Sequence, residues 1–130
     1  MNLLDKQKVN LYVAFRVILG FLFLSHGLQK LFGWFGGNIP DLLSLIWFAG
    51  LIELVAGTFV LVGLFTRLSA TISALEMIVA YFMVHAGKAA VPIVNGGELA
   101  LLYLAAFLIV MGHGAQKWSL TQVLFKKEFL

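Results

Sequence analysis

Four runs of apolar residues occupy most of this chain, roughly 9–35, 42–65, 68–87 and 97–113. Each reaches or approaches the ~17–25 residues a helix needs to cross a bilayer core. Lipid offers a peptide group no hydrogen-bond partner, so a spanning run must satisfy its own backbone, and all four are predicted as helices. The breaks carry turn chemistry: GGNIP (Gly36–Pro40), GLFTR (Gly63–Arg67) and the longer AGKAAVPIVNGG (Ala86–Gly97). With 62% hydrophobic and 12% charged residues, 130 residues hold too little charge to cover a water-facing domain. The fold class is therefore an all-α membrane protein, a single domain over 1–130 built as a four-transmembrane-helix bundle.

The chain ends in KWSLTQVLFKKEFL (117–130), where Ser119 followed by Gln122 forms a capping-box pattern. Leu120, Val123, Leu124 and Phe125 lie beside Lys126 and Lys127, which predicts a short C-terminal helix in the membrane interface. At the other end, the first apolar run is too long for a signal-peptide core and reads as an uncleaved first helix. Lys6, Lys8, Arg67, Lys117, Lys126 and Lys127 fall on one side of the bundle, against Lys88 and the helix-end Lys30 on the other. The positive-inside bias then places both termini in the cytoplasm, in a multi-pass cell (cytoplasmic) membrane protein. Trp34 and Trp47 fall at the outer interface and Trp118 at the inner one. A net charge of +3 spread thinly along the chain excludes a phosphate-tracking surface, hence no nucleic acid partner. The absence of cysteine excludes disulfides, thiolate metal sites and Cys-x-x-Cys redox chemistry.

Five ionisable residues lie within or at the edges of the spans: Arg16, Lys30, Glu53, Glu76 and Glu98. A lone charge at the bilayer centre costs at least ~2.5–3.5 kcal/mol, so these side chains should face the bundle interior and find partners. At 100° per residue, Arg16, Gly20, Phe23, Gly27 and Lys30 share one stripe of the first helix, and Gly50, Glu53, Gly57 and Val60 share one of the second. Ser69, Ser73, Glu76, Ala80 and Met83 align on the third, and Glu98, Leu102, Ala105 and Ile109 on the fourth. Every charged position shares its face with small residues, as at close helix contacts, so the stripes are predicted to point inward together. Depth counting predicts an inner layer, Arg16 bridging Glu53 and Glu76, and an outer rim of His26, Lys30, Asn95 and Glu98. The inner layer reads either as a binding or proton-transfer site or as a packing clamp. A carboxyl that Arg16 leaves unbridged costs least with its proton on. His85 falls opposite Glu76 on the third helix, and Tyr103 reads as packing. No close ligand spacing such as His-Glu-x-x-His occurs, so no metal site is predicted.

The series Arg16–Gly20–Gly27–Lys30, then AGLIELVAGTFVLVGLFTR (Ala49–Arg67), then NGGELALLY (Asn95–Tyr103), resembles the DoxX family of small four-helix membrane proteins. The family often continues with a Trp-Ser-Leu-Asp-like element, and here WSLT (Trp118–Thr121) has Thr in the place of Asp. The resemblance implies a membrane bundle related to a thiosulfate:quinone oxidoreductase subunit and to components of redox or detoxification complexes. Quinone is the cofactor or substrate class it brings forward. Three functions stay open: a quinone-interacting subunit of a membrane oxidoreductase complex, a non-catalytic anchor or assembly subunit, and a small-molecule or lipid-binding carrier. Partners are the lipid bilayer and either a redox subunit or a second copy. Whether the chain is itself an enzyme stays open with them.

Overall fold

The computed structural model describes residues 2–128; residues 129 and 130 of the predicted tail lie outside that range. Helix α1 spans Leu3–Phe32. It begins earlier than its apolar run because Asn2 and Asp5 form a reciprocal capping box: the Asn2 side chain accepts from Asp5 N at 3.0 Å, and the Asp5 carboxylate accepts from Asn2 N at 3.3 Å. It stops at Gly33, whose left-handed φ of 68° suits a residue without a Cβ. A short 3-10 turn, Trp34–Gly36, follows. Helix α2, Leu45–Val62, starts at Ser44, which accepts from Trp47 N, and ends at Gly63 with φ 73°.

Helix α3 covers Thr66–Ala80 and runs on into one π-helical turn, Tyr81–His85, marked by the Ala86 N to Tyr81 O bond. The loop beyond contains a one-turn helix α4, Pro92–Asn95, ahead of α5, Glu98–His113. Among the described residues, α1, α2 and the Thr66–His85 unit are long and apolar enough to cross a membrane, and α5 is shorter at 16 residues. Helix α6, Leu120–Phe125, is capped by Ser119, whose side chain accepts from Gln122 N. The start of α1, the α2–α3 turn and α6 share one end of the bundle, here the termini end. The loops 33–44 and 86–97 mark the loop end.

Helices α1 and α2 pack antiparallel, backbone against backbone. A Cβ added at Gly20 would lie 2.5 Å from Leu61 N and 2.9 Å from Gly57 O. One added at Gly57 would lie 2.5 Å from Leu24 N, and Gly27 faces Gly50 O and Leu54 in the same way. The two glycines on each helix are seven residues apart, so both pairs fall on one seam of the crossing. Helices α3 and α5 form the second close pair. The two pairs meet over Leu19, Phe23, Val60, Ala74, Met77 and Phe107, with Phe23 edge-on to Phe107 at 4.6 Å between centroids. Large apolar side chains such as Phe21, Leu75 and Leu102 point outward, as lipid-facing positions require.

Two predicted stripes need correction. On α5, Glu98, Leu102, Ala105 and Ile109 are exposed, and Tyr103, Phe107 and Val110 form the buried face. That helix is apolar all round, so its periodicity carries no facing signal. On the third helix, Met83 is 65% exposed, because the π turn rotates every residue after Ala80 relative to the α-helix before it.

The glycine seam predicts a sharp contrast between two substitutions. Gly57→Ala drives a methyl into the α1 backbone and should lower thermal stability in detergent by about 1–3 kcal/mol. Gly112→Ala, where nothing lies within 4 Å of the new Cβ, should be neutral or stabilising by about 0.5–1 kcal/mol.

Candidate functional site

The structure separates the charges that the stripes aligned. Arg16 is fully buried and touches neither Glu53 nor Glu76. Its Nη1 donates to Val60 O at 2.5 Å and Leu61 O at 3.1 Å, and its Nη2 to Lys117 O at 3.3 Å and Trp118 O at 3.1 Å. The register explains this. Gly20 faces Gly57 and Leu61, so Arg16, one turn below, stands at the C-terminal end of α2, while Glu53 lies ten residues before Gly63, about 15 Å farther along the helix. Free carbonyls collect at a helix C-terminus and attract a cation there. A guanidinium fork suits this work because its donors diverge toward two chain segments.

Those bonds belong to a wider lattice at the termini end. Gly63 O accepts from Thr121 N and from the hydroxyls of Ser119 and Thr121, and Thr121 Oγ1 accepts in turn from Phe65 N at 2.8 Å. Thr121 is thus donor and acceptor at once. An ionised Asp in its place would accept the Phe65 amide but have no proton for Gly63 O. Tyr12 donates to Gly114 O, Arg67 caps α5 through Met111 O and Gly112 O at 2.8 Å each, and the Glu128 carboxylate accepts from Ala115 N. This layer fixes the fold.

The second layer lies in the loop half. Lys30 donates to Glu53 Oε1 at 2.5 Å, so the lysine expected on the outer rim is the partner that the arginine was expected to be. Lys30 keeps 30% of its side chain exposed, against 4% for Glu53. Glu53 Oε2 and both oxygens of Glu76 are shut off from the surface and accept no hydrogen bond among the described residues. Buried carboxyl oxygens in that condition call for an explanation, since polar groups out of water are normally paired.

Two hollows flank the cluster. One of about 240 Å³ is lined by polar and aromatic groups, among them His26, Lys30, Glu53, His85 and Tyr103. The other, about 640 Å³, is an apolar groove between α2 and α3 in which Lys30, Glu76 and His85 are the polar groups. Lys30, Ala80 and His85 border both hollows. His85 reaches this wall because of the π turn, and its Nδ1 lies 3.1 Å from Asn95 O. Asn95 is buried as an organiser of the loop: its amide donates to Tyr81 Oη and Ala89 O, and its Oδ1 accepts from Gly97 N. Glu98 is exposed at the start of α5, away from the cluster, where a helix N-terminus favours an acid.

His26, Lys30, Glu53 and Glu76 are thus brought to one place, Arg16 and Glu98 are not, and Asn95 supports the wall from behind. Helical angles set His85 opposite Glu76 and Tyr103 off the Glu98 stripe, yet both line the polar hollow. Tyr103 stands edge-on to His26 at 5.7 Å. The signal for Tyr103 was its burial at a polar edge, which periodicity on a uniformly apolar helix does not carry. Among the described residues no group of three His, Asp or Glu side chains is placed to hold a metal ion.

Comparison with known proteins agrees with this architecture. The family model described as DoxX matches residues 11–86. A protein of Haemophilus influenzae described as uncharacterized is 40% identical over 136 residues, covering 98% of this chain and 100% of its own length. No solved structure matches.

The ion pair yields a thermodynamic cycle. Lys30→Met strands the Glu53 carboxylate and should destabilise the bundle by about 3 kcal/mol, the lower end for a broken buried pair because Lys30 is partly open. Adding Glu53→Gln should recover most of that loss, read by thermal unfolding in detergent. Arg16→Ala leaves four carbonyls without their donor and should cost at least about 3 kcal/mol, a loss that no substitution at Glu53 recovers.

Proposed function

The chain belongs to the DoxX family, and from that premise we propose that it is a quinone-interacting subunit of a membrane oxidoreductase complex, with Lys30, Glu53 and Glu76 at its binding site. One observation carries the reading: carboxyl oxygens of Glu76 without a partner among the described residues share an apolar groove with Lys30. That arrangement fits a ligand with a polar head and a hydrocarbon body. A quinone, when bound, accepts two electrons and two protons.

The residues of this chain divide the remaining tasks. Lys30 is the cation available to a carbonyl oxygen, and Glu53 holds it in position through the 2.5 Å bond. Glu76, whose oxygens accept no hydrogen bond among the described residues, is the carboxyl suited to exchanging a proton with the ligand. His26 and His85 line the polar hollow and offer a path for protons toward the loop end. The chain has no cysteine and so no thiol carrier of its own; a partner subunit is assigned the delivery of electrons. The Lys and Arg bias supports a cell-membrane orientation with both termini in the cytoplasm, which puts the site in the outer half.

A second reading, a non-catalytic anchor or assembly subunit, is favoured by the backbone-satisfying lattice around Arg16, which needs no ligand. The two separate on one measurement. Protein purified in mild detergent should retain quinone, quantified by extraction and mass spectrometry, and Glu76→Gln and Lys30→Gln should each lower the bound amount about tenfold or more, the loss of one charge-assisted hydrogen bond. Retention of a partner enzyme with no quinone, or equal quinone in all three proteins, would establish the anchor instead.

A further inference from the structure

The segment joining α5 to α6 holds two non-glycine residues in the left-handed region, Gln116 at φ 60° and Trp118 at φ 55°. Backbone of this kind persists where surrounding structure over-determines it. Here Arg16 does so, by drawing the carbonyls of Lys117 and Trp118 into the bundle. The side chains are left on the outside, and Trp118 is 79% exposed. They stand at the mouth of a hollow of about 530 Å³ whose apolar wall is Val13, Ala14, Val17 and Ile18 of α1, with Asn10 beside Lys117 at the polar end.

We propose that this hollow is a binding site for one anionic glycerophospholipid, with an acyl chain along the α1 wall and the phosphate on Lys117. Charge complementarity selects the occupant. The termini end carries Lys6, Lys8, Lys117, Lys126 and Lys127, and its two acidic side chains among the described residues are engaged: Asp5 pairs with Lys8 at 2.8 Å, and Glu128 accepts from Ala115 N. The Lys117 ammonium faces no carboxylate among the described residues, and its hydrogen bond there is a long one to Asn10 Oδ1 at 3.5 Å. An ammonium held by one long hydrogen bond, an amide and an indole above an apolar slot match a phosphate, its ester oxygens and the interfacial glycerol. A zwitterionic lipid brings its own cation to the same place and gains less. The site lies at the opposite end of the bundle from the Lys30–Glu53 pair and does not depend on the quinone reading.

The test uses the full chain with Trp34→Phe and Trp47→Phe, so that Trp118 is the fluorophore, in nanodiscs of phosphatidylcholine. Bromine on an acyl chain quenches a neighbouring indole. A small fraction of brominated phosphatidylglycerol should quench Trp118 about fivefold more effectively than the same fraction of brominated phosphatidylcholine, the increment of one basic side chain at an anionic head group. Lys117→Gln should abolish that preference, Lys117→Arg should keep it, and Lys126→Gln should leave it intact. Ala14→Phe, which fills the slot, should reduce quenching by either brominated lipid. Equal quenching by the two lipids, or a preference that survives Lys117→Gln, would overturn the proposal.

Discussion

The contact between the α1 and α2 backbones sets where Arg16, Lys30 and Glu53 meet their partners. Gly20 against Gly57 and Gly27 against Gly50 bring the helices close enough that no side chain separates them there. In lipid such contact rests on dispersion between closely fitted surfaces, since apolar side chains gain little from leaving hydrocarbon for a protein interior. Once that register is fixed, Arg16 must fall at the last carbonyls of α2, and Lys30 must fall within reach of Glu53.

Two cations, one buried and one half-buried, therefore meet different fates on the same helix face. Arg16 is consumed by carbonyls that would otherwise be orphaned, and through Lys117 and Trp118 it ties the C-terminal segment to the first helical pair. Lys30 pairs with a single carboxylate oxygen and remains partly open, with the unpaired oxygens of Glu53 and Glu76 beside it. Arg16 spends both terminal nitrogens on fixed carbonyls and leaves only its Nε without a partner among the described residues, whereas the carboxyl oxygens near Lys30 adjoin a hollow.

The architecture was legible in the sequence because lipid imposes length and internal hydrogen bonding on each run, and because glycine-bearing stripes mark helix contacts. The facing of α1 and α2 followed from that signal: Gly20, Gly27, Gly50, Glu53 and Gly57 are all buried. Pairing was less legible. Depth counted from apolar boundaries left the α1–α2 register open, and the glycine seam sets Arg16 at the last carbonyls of α2 and not beside Glu53. A π turn cannot be read from helical angles, so His85 was turned the wrong way. Helix α5 has apolar residues on every side, and there Glu98 misled because a charge at a helix start answers to the interface rather than to the core.

The proposed quinone site draws on the loop-half cluster and not on the Arg16 lattice. Infrared difference spectra recorded on adding a soluble quinone analogue to the purified chain measure this directly, since the carbonyl band of a carboxyl shifts with its hydrogen bonding. The account predicts a carboxyl difference band that disappears in Glu76→Gln and persists in Asp5→Asn. A spectrum without a carboxyl band, or one unchanged by Glu76→Gln, would contradict it.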